Sequence, residues 1–342
     1  MSAERKSMKM VSCPHCQARV FLPGDLAPLQ EVPCTKCQRS VMMPATLRQF
    51  ELRSVIASGG MGTVFRAWDT MLSREVAVKL MKHEFAQDPA AVENFAIEAR
   101  ACAQLNHTNI IHIYTFDEHD QDRYLVMELA DSGCLDSWIE KQGRVTELDV
   151  LDIGIKLAGA LQTALKHGLL HLDIKPGNIL FNSDGEPKLV DFGLSRKADA
   201  DTDLYAPIFG TPYYIAPERV RREGDTFKAD LYSLAGTLYH ALTGHVPFEA
   251  PTVEEVVAAQ ISTPLRPAHE VLPGVSADTS EAFSRAMAKD PAQRHASYDE
   301  FILALTAARS QLLIRQFAPQ ASVNTSTGEV VSDGGKKSWW RR

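Results

Sequence analysis

The sequence predicts an α+β chain: a short four-cysteine segment, a small strand-rich part, and a larger part built mainly of helices. Three observations predict it. Residues 75–80 (EVAVKL) and 123–128 (RYLVME) are β-branched, partly alternating runs of the strand type. Beyond about residue 145, apolar residues recur at helical spacing, most clearly over 148–166 and 301–316. Residues 1–48 hold two Cys-x-x-Cys pairs among Pro14, Pro23, Pro28, Pro33 and Pro44, and are too short to build a core alone.

The elements follow in order. Between the two strand-like runs, Val92, Phe95, Ala99 and Cys102 fall on one helical face, and Asp88-Pro89 supplies a cap and a first-turn proline. Leu312, Leu313, Ile314 and Phe317 extend the last helix. After about residue 318 the chain is rich in Ser, Thr, Gly and Lys, a composition expected of a flexible tail. Trp339-Trp340-Arg341-Arg342 closes it as a candidate interaction tail, and Ser322, Thr325, Ser326 and Thr327 are candidate modification sites.

Of the 342 residues, 45% are hydrophobic and 23% charged, which excludes a disordered or collagen-like chain. Charge is segregated. Residues 1–48 carry net +4, residues 49–308 net −15, and residues 309–342 net +4, within a total of −7. A middle part this acidic is a poor match for duplex nucleic acid, which requires a basic footprint. The most apolar stretch, 151–172, is broken by Asp152, Lys156 and Lys166, so no transmembrane segment is expected. The N-terminus has no apolar signal region, and a cytoplasmic, reducing setting is the expectation for the six cysteines.

Cys13-Pro-His-Cys16 and Cys34-Thr-Lys-Cys37 are separated by 17 residues. Each pair can aim two thiolates at one point, and two pairs give the tetrahedral sulfur set of structural Zn²⁺. Two redox pairs are the alternative. His15 sits inside the first knuckle and is not expected to be a ligand. The segment resembles a zinc ribbon, a module that binds either protein or nucleic acid. Cys102, on the helix's apolar face, is expected to be a packed thiol.

A second set of residues suits phosphate chemistry. Gly59, Gly60 and Gly62 form a glycine-rich turn that lets backbone amides approach phosphate oxygens. Lys79 ends the run Val-Ala-Val-Lys, and Glu98 borders the helix's apolar face, where a carboxylate wants a cation. His171-Leu172-Asp173-Ile174-Lys175-Pro176-Gly177-Asn178 is followed 13 residues later by Asp191-Phe192-Gly193. Asp191 and Asn178 offer hard oxygen ligands for Mg²⁺, Asp173 can accept a proton, and Lys175 supplies positive charge.

With these motifs in this order, residues 50–308 resemble a bacterial, eukaryotic-like Ser/Thr protein kinase. The resemblance also rests on 210–218 (GTPYYIAPE), 230–236 (DLYSLAG) and Arg294. It implies a bilobal fold with an antiparallel β small lobe over 50–130, expected to hold five strands, and a mainly α large lobe over 131–308. The zinc ribbon would be packed on or tethered to the small lobe. The implied activity is ATP-dependent phosphoryl transfer to Ser or Thr hydroxyls of protein substrates, in signalling. Asp173 would be the base, Lys175 its partner, and Asn178 and Asp191 the Mg²⁺ ligands. Lys79, paired with Glu98, would hold the α/β-phosphates. Ala57, Gly59, Gly62, Val64, Ala77, Met127, Glu128, Ala130 and Leu180 would surround the nucleotide, with 128–130 as the hinge. Glu218 and Arg294 would form a buried ion pair, and Asp230 would brace the catalytic loop.

Three departures stand out. Ala57 replaces the loop's first glycine. His107-Thr108-Asn109 replaces a His-Pro-Asn loop, a change expected to carry little catalytic meaning. Leu172 replaces the Arg that usually precedes the base and docks an activation-loop phosphate, so a non-RD type is expected. Asp199, Asp201 and Asp203 would supply standing charge in that loop, beside Ser195, Thr202 and Tyr205. The rival readings are a pseudokinase scaffold, a small-molecule kinase, and a zinc-ribbon binding module with the kinase as effector.

Overall fold

The computed structural model describes residues 8–59, 62–120, 122–192, 196–197 and 212–317, without the side chains of 94, 98, 101, 102, 196, 197 and 317. Expectations for Gly60, for Glu98 and Cys102 beyond their backbone, for Gly193, Ser195, Asp199, Asp201, Thr202, Asp203, Tyr205, Gly210 and Thr211, for the Phe317 side chain, and for the tail from 318 to 342 lie outside the described residues.

The N-terminal segment is two hairpins, β1 (Met8–Ser12) with β2 (Arg19–Pro23), and β3 (Glu31–Pro33) with β4 (Ser40–Met42). The turns repeat one another. Cys13 N–H donates to Ala18 O at 2.8 Å and Gln17 N–H to Cys13 O at 2.9 Å; Cys34 N–H donates to Arg39 O at 2.8 Å and Gln38 N–H to Cys34 O at 2.9 Å. Gln17 and Gln38 share a positive φ, 58° and 62°. The doubled Cys pair is thus a doubled backbone unit.

The small-lobe sheet has six strands and not the expected five. β5 (Ala45–Leu47), β6 (Phe50–Ser58), β7 (Gly62–Asp69), β8 (Arg74–Met81), β9 (Ile113–His119) and β10 (Asp122–Met127) lie in the order β5-β6-β7-β8-β10-β9. The added edge strand, β5, joins the cysteine segment to the lobe. Between β8 and β9 runs α1 (Pro89–Ala103), capped by Asp88 Oδ1 on the Ala90 N–H at 3.0 Å. Its Phe95 and Ala99 pack with Met81 and Leu125 on one sheet face. On the opposite face Phe50, Leu52, Phe65, Val76 and Val78 are covered by Met42 and Leu29 of the cysteine segment. A sheet buried on both sides accounts for the near-continuous apolar run at 75–80. Lys9 with Glu51, at 3.5 Å, adds a surface ion pair across the same junction.

The large lobe opens with α2 (Leu135–Gln142) and α3 (Glu147–Lys166), capped by Cys134 and Thr146. Then come the short strands β11 (Leu169–Leu170), β12 (Ile179–Phe181), β13 (Pro187–Leu189) and β14 (Arg196–Lys197), with β11 paired to β14 and β12 to β13. The helices α4 (Pro217–Arg221), α5 (Phe227–Thr243), α6 (Val253–Ser262), α7 (Ala268–Val271), α8 (Ala277–Ala286) and α9 (Tyr298–Phe317) complete it. α5 is buried along most of its length, and α3 packs against both α5 and α9. Leu312 meets this core, whereas Ile314 on the same extension is exposed.

Gly244 ends α5 with φ 76°, its N–H on His240 O at 2.8 Å. A Cβ there would meet the backbone carbonyl of Gly143, which ends α2 in the same conformation. Gly244→Ala therefore combines backbone strain with a backbone clash and should cost about 1–3 kcal/mol. Denaturant unfolding checks this; an unchanged midpoint would contradict the close approach.

Candidate active site

The catalytic-loop residues lie on a non-repetitive segment between β11 and β12, held from beneath by α5. Asp230, 1% exposed, accepts the His171 N–H on Oδ2 at 2.8 Å and the Leu172 N–H on Oδ1 at 2.7 Å. Burial pushes its carboxyl upward, against the His171 ring, these two N–H groups and Arg219, which all favour the ion. Leu172 between them has φ 66°, a left-handed conformation that costs a leucine on the order of 1–3 kcal/mol. Its side chain is buried, 3% exposed.

His171 links three pieces. Its Nδ1 accepts the Asp173 N–H at 3.2 Å, which leaves Nε2–H to donate to Val190 O at 3.0 Å, one residue before Asp191. Its ring packs on Phe192, centroids 4.5 Å apart. Asp173 receives Lys175 Nζ at 2.7 Å and Asn178 Nδ2 at 3.0 Å, both on Oδ2. Among the described residues Oδ1 is therefore the oxygen left to accept another proton. Asn178 Nδ2 also donates to Asp173 O at 2.8 Å. With its nitrogen committed, the Asn178 amide oxygen is the atom free for a cation. The β12–β13 pairing, Ile179 opposite Leu189, and the bond from Val190 N–H to Asn178 O at 3.0 Å bring Asp191 alongside. An amide oxygen and an exposed carboxylate at one cleft edge fit Mg²⁺.

Lys79 shares the α1-facing side of β8 with Ala77 and Met81, and its Nζ lies 5.8 Å from the Phe95 ring centroid. Glu98 is three residues further along the same helix as Phe95. On the opposite wall, β12 bears Leu180, half-buried, and Ala130 is buried in the connection from β10 to α2. That connection is tied on both sides. Glu128 N–H donates to His112 O at 2.8 Å, and the Glu128 carboxylate pairs with the buried Lys188 at 2.5 Å. Arg66 pairs with Asp131 and, at 2.7 Å, with Glu75. Ala57 lies opposite Val64 where β6 meets β7, and Gly59 N–H returns to Gly62 O at 3.0 Å.

Comparison with known proteins decides the family. The model of the protein kinase domain matches residues 50–302. The chain belongs to the protein kinase family. Serine/threonine-protein kinase PknA of Mycobacterium tuberculosis is 36% identical over 268 residues, 77% of this chain and 62% of that protein. Serine/threonine-protein kinase PknL of the same species is 33% identical over 279 residues, 81% of this chain and 70% of its own. A probable serine/threonine-protein kinase of Clostridium perfringens is 32% identical over 255 residues, 74% of this chain and 37% of that protein. The family implies ATP and Mg²⁺ as cofactors and proteins as substrates. No described helix is long and apolar enough to cross a membrane.

The kinase lobe seats its substrate loop firmly. Glu218 and Arg294 form the expected buried pair, with two bonds of 2.7 Å. Gln260 Nε2 donates to Pro212 O at 3.1 Å and Tyr213 O at 2.7 Å, and Ser233 Oγ to Tyr214 O at 2.8 Å. Burial pushes the Tyr214 hydroxyl upward; it bonds His240 Nδ1 at 2.7 Å. Sequence reasoning missed several of these supports. Asn109 is more than a loop variation: its Nδ2 donates to Pro187 O at 2.9 Å and so holds β13. Lys188, Arg66 and Arg219 carried no motif that would mark them.

The four cysteine sulfurs lie within 4.8 Å of one another, Cys13 to Cys37 at 3.6 Å and Cys16 to Cys34 at 3.8 Å. Thiolates about 2.3 Å from one zinc ion stand about 3.8 Å apart in a tetrahedron, so the set fits that metal. The Cys37 and Lys36 backbone N–H groups pull the Cys34 thiol down to about 6, toward the thiolate a metal needs. His15 is not part of the group.

Proposed function

We propose that this chain is an active, ATP-dependent Ser/Thr protein kinase of the non-RD type, with a zinc-held ribbon built into its small lobe. The observation that carries this is the Asp173 carboxylate, with Lys175 at 2.7 Å and Asn178 at 3.0 Å on one oxygen and the other oxygen left to accept. In the reaction a protein hydroxyl oxygen bonds the γ-phosphorus, the bond to the ADP oxygen breaks, and the hydroxyl proton passes to Asp173. Lys175 orients Asp173 and offsets charge on the transferring group. Asn178 and Asp191 would hold Mg²⁺, which neutralises phosphate charge when bound. Lys79 would hold the α/β-phosphates, with Glu98 as its partner. The backbone of 128–130 would meet adenine between Ala77 and Leu180, with Met127 behind it.

The non-RD reading rests on Leu172. A buried leucine side chain offers no cation to an activation-loop phosphate, so the enzyme should work without one. Cys13, Cys16, Cys34 and Cys37 would hold Zn²⁺. The ribbon's contact with the outer sheet face supports a structural role. Met8, Met10 and Phe21, exposed together on the β1–β2 hairpin, support a further role in recruitment.

Radiolabelled phosphate transfer with Mg²⁺-ATP should place label on Ser or Thr, and Asp173→Asn should lower kcat by about 10²–10⁴-fold. Absence of label in the wild type, or equal label in the two proteins, would overturn the reading. Elemental analysis should find about one zinc per chain, and none in Cys34→Ser. That variant should unfold at a lower temperature, since the ribbon then no longer covers the sheet; an unchanged midpoint in metal-free protein would contradict the structural role.

A further inference from the structure

The peptide unit that enters the base is held by a residue from another element. Arg219, in α4, donates from Nη1 to the Leu172 carbonyl at 2.6 Å. The carbonyl of Leu172 and the N–H of Asp173 belong to one rigid plane. That N–H is bonded to His171 Nδ1 at 3.2 Å, so the plane is held at both edges. Arg219 is itself fixed, with Nε on Asp225 Oδ1 at 3.1 Å and the two side chains 12% and 16% exposed. It directly follows Glu218, whose carboxylate is anchored by Arg294.

We propose that Arg219 is the positioning residue that sets the orientation of Asp173 and couples it to the seat of the substrate loop. Asp230 holds the left-handed turn through N–H groups alone; the carbonyl side needs a separate donor, and Arg219 supplies it. Because α4 continues directly from residues 212–216, the loop that seats the protein substrate and the plane that aims the base form one rigid unit. A chain with Leu172 in place of a phosphate-docking cation thereby keeps its catalytic loop organised through a built-in guanidinium. The proposal rests on the kinase reading above.

The test compares wild type, Arg219→Gln and Arg219→Lys in the full chain, by steady-state kinetics, nucleotide binding and amide hydrogen exchange. Arg219→Gln should lower kcat about 10–100-fold, the scale of a misoriented catalytic group, with ATP affinity within about twofold. Arg219→Lys, which can still donate to the carbonyl, should recover most of that loss. The amides of residues 171–173 should exchange faster in the Gln variant. A kcat within about twofold of wild type in Arg219→Gln would overturn the proposal, as would equal losses of turnover and nucleotide binding in both variants. If the wild type itself transfers no phosphate, the kinase reading fails. Exchange at 171–173 then still decides the role of Arg219: faster in the Gln variant supports it, unchanged refutes it.

Discussion

A single buried carboxylate organises the catalytic end of this molecule. Asp230 leaves water at considerable cost and recovers it by accepting two backbone N–H groups from a turn that no other described group could hold in that shape. Leu172 is left-handed only because its neighbours over-determine it. From that turn the rest follows in sequence. His171 is placed so that its ring receives the Asp173 N–H and reaches Val190. Asp173, Asn178 and Asp191 then converge. α5 serves as a rigid floor, and the reactive groups are attached to it through hydrogen bonds to backbone and not through their own side chains.

The small lobe follows a different logic. Its sheet is apolar on both faces, and each face needs a cover. α1 supplies one, the cysteine segment the other. A segment of this size has little core of its own, so four thiolates around one ion would give it the rigidity to serve as a cover. Loss of the metal would then be felt in the strands that carry Ala77 and Lys79, because Met42 packs against Val76 and Val78 of the same strand.

Much of this was legible in the sequence. Chemistry-bearing residues at fixed spacing announced themselves: the four cysteines, the run 171–178, Asp191, Asp230, and the Glu218–Arg294 pair. The Asp88 cap and the long helices were legible because capping and periodicity are local. What escaped was non-local. β5 has three residues and no pattern of its own; it is a strand only because β6 lies beside it. The outward-facing apolar residues Phe50, Leu52, Phe65 and Val76 were a signal that a second cover existed, but not which segment supplied it. Asn109, Lys188 and Arg219 act on backbone or on partners distant in sequence, so no local motif marks them.

The central claim is that Asp230 holds the catalytic turn. Amide hydrogen exchange of wild type and Asp230→Asn tests it most directly. Asparagine keeps one acceptor oxygen and turns an NH₂ toward the second backbone N–H. The account predicts faster exchange at His171 and Leu172 while the amides in the middle of α5 keep their protection. Unchanged exchange at these two residues, in a folded variant, would contradict it.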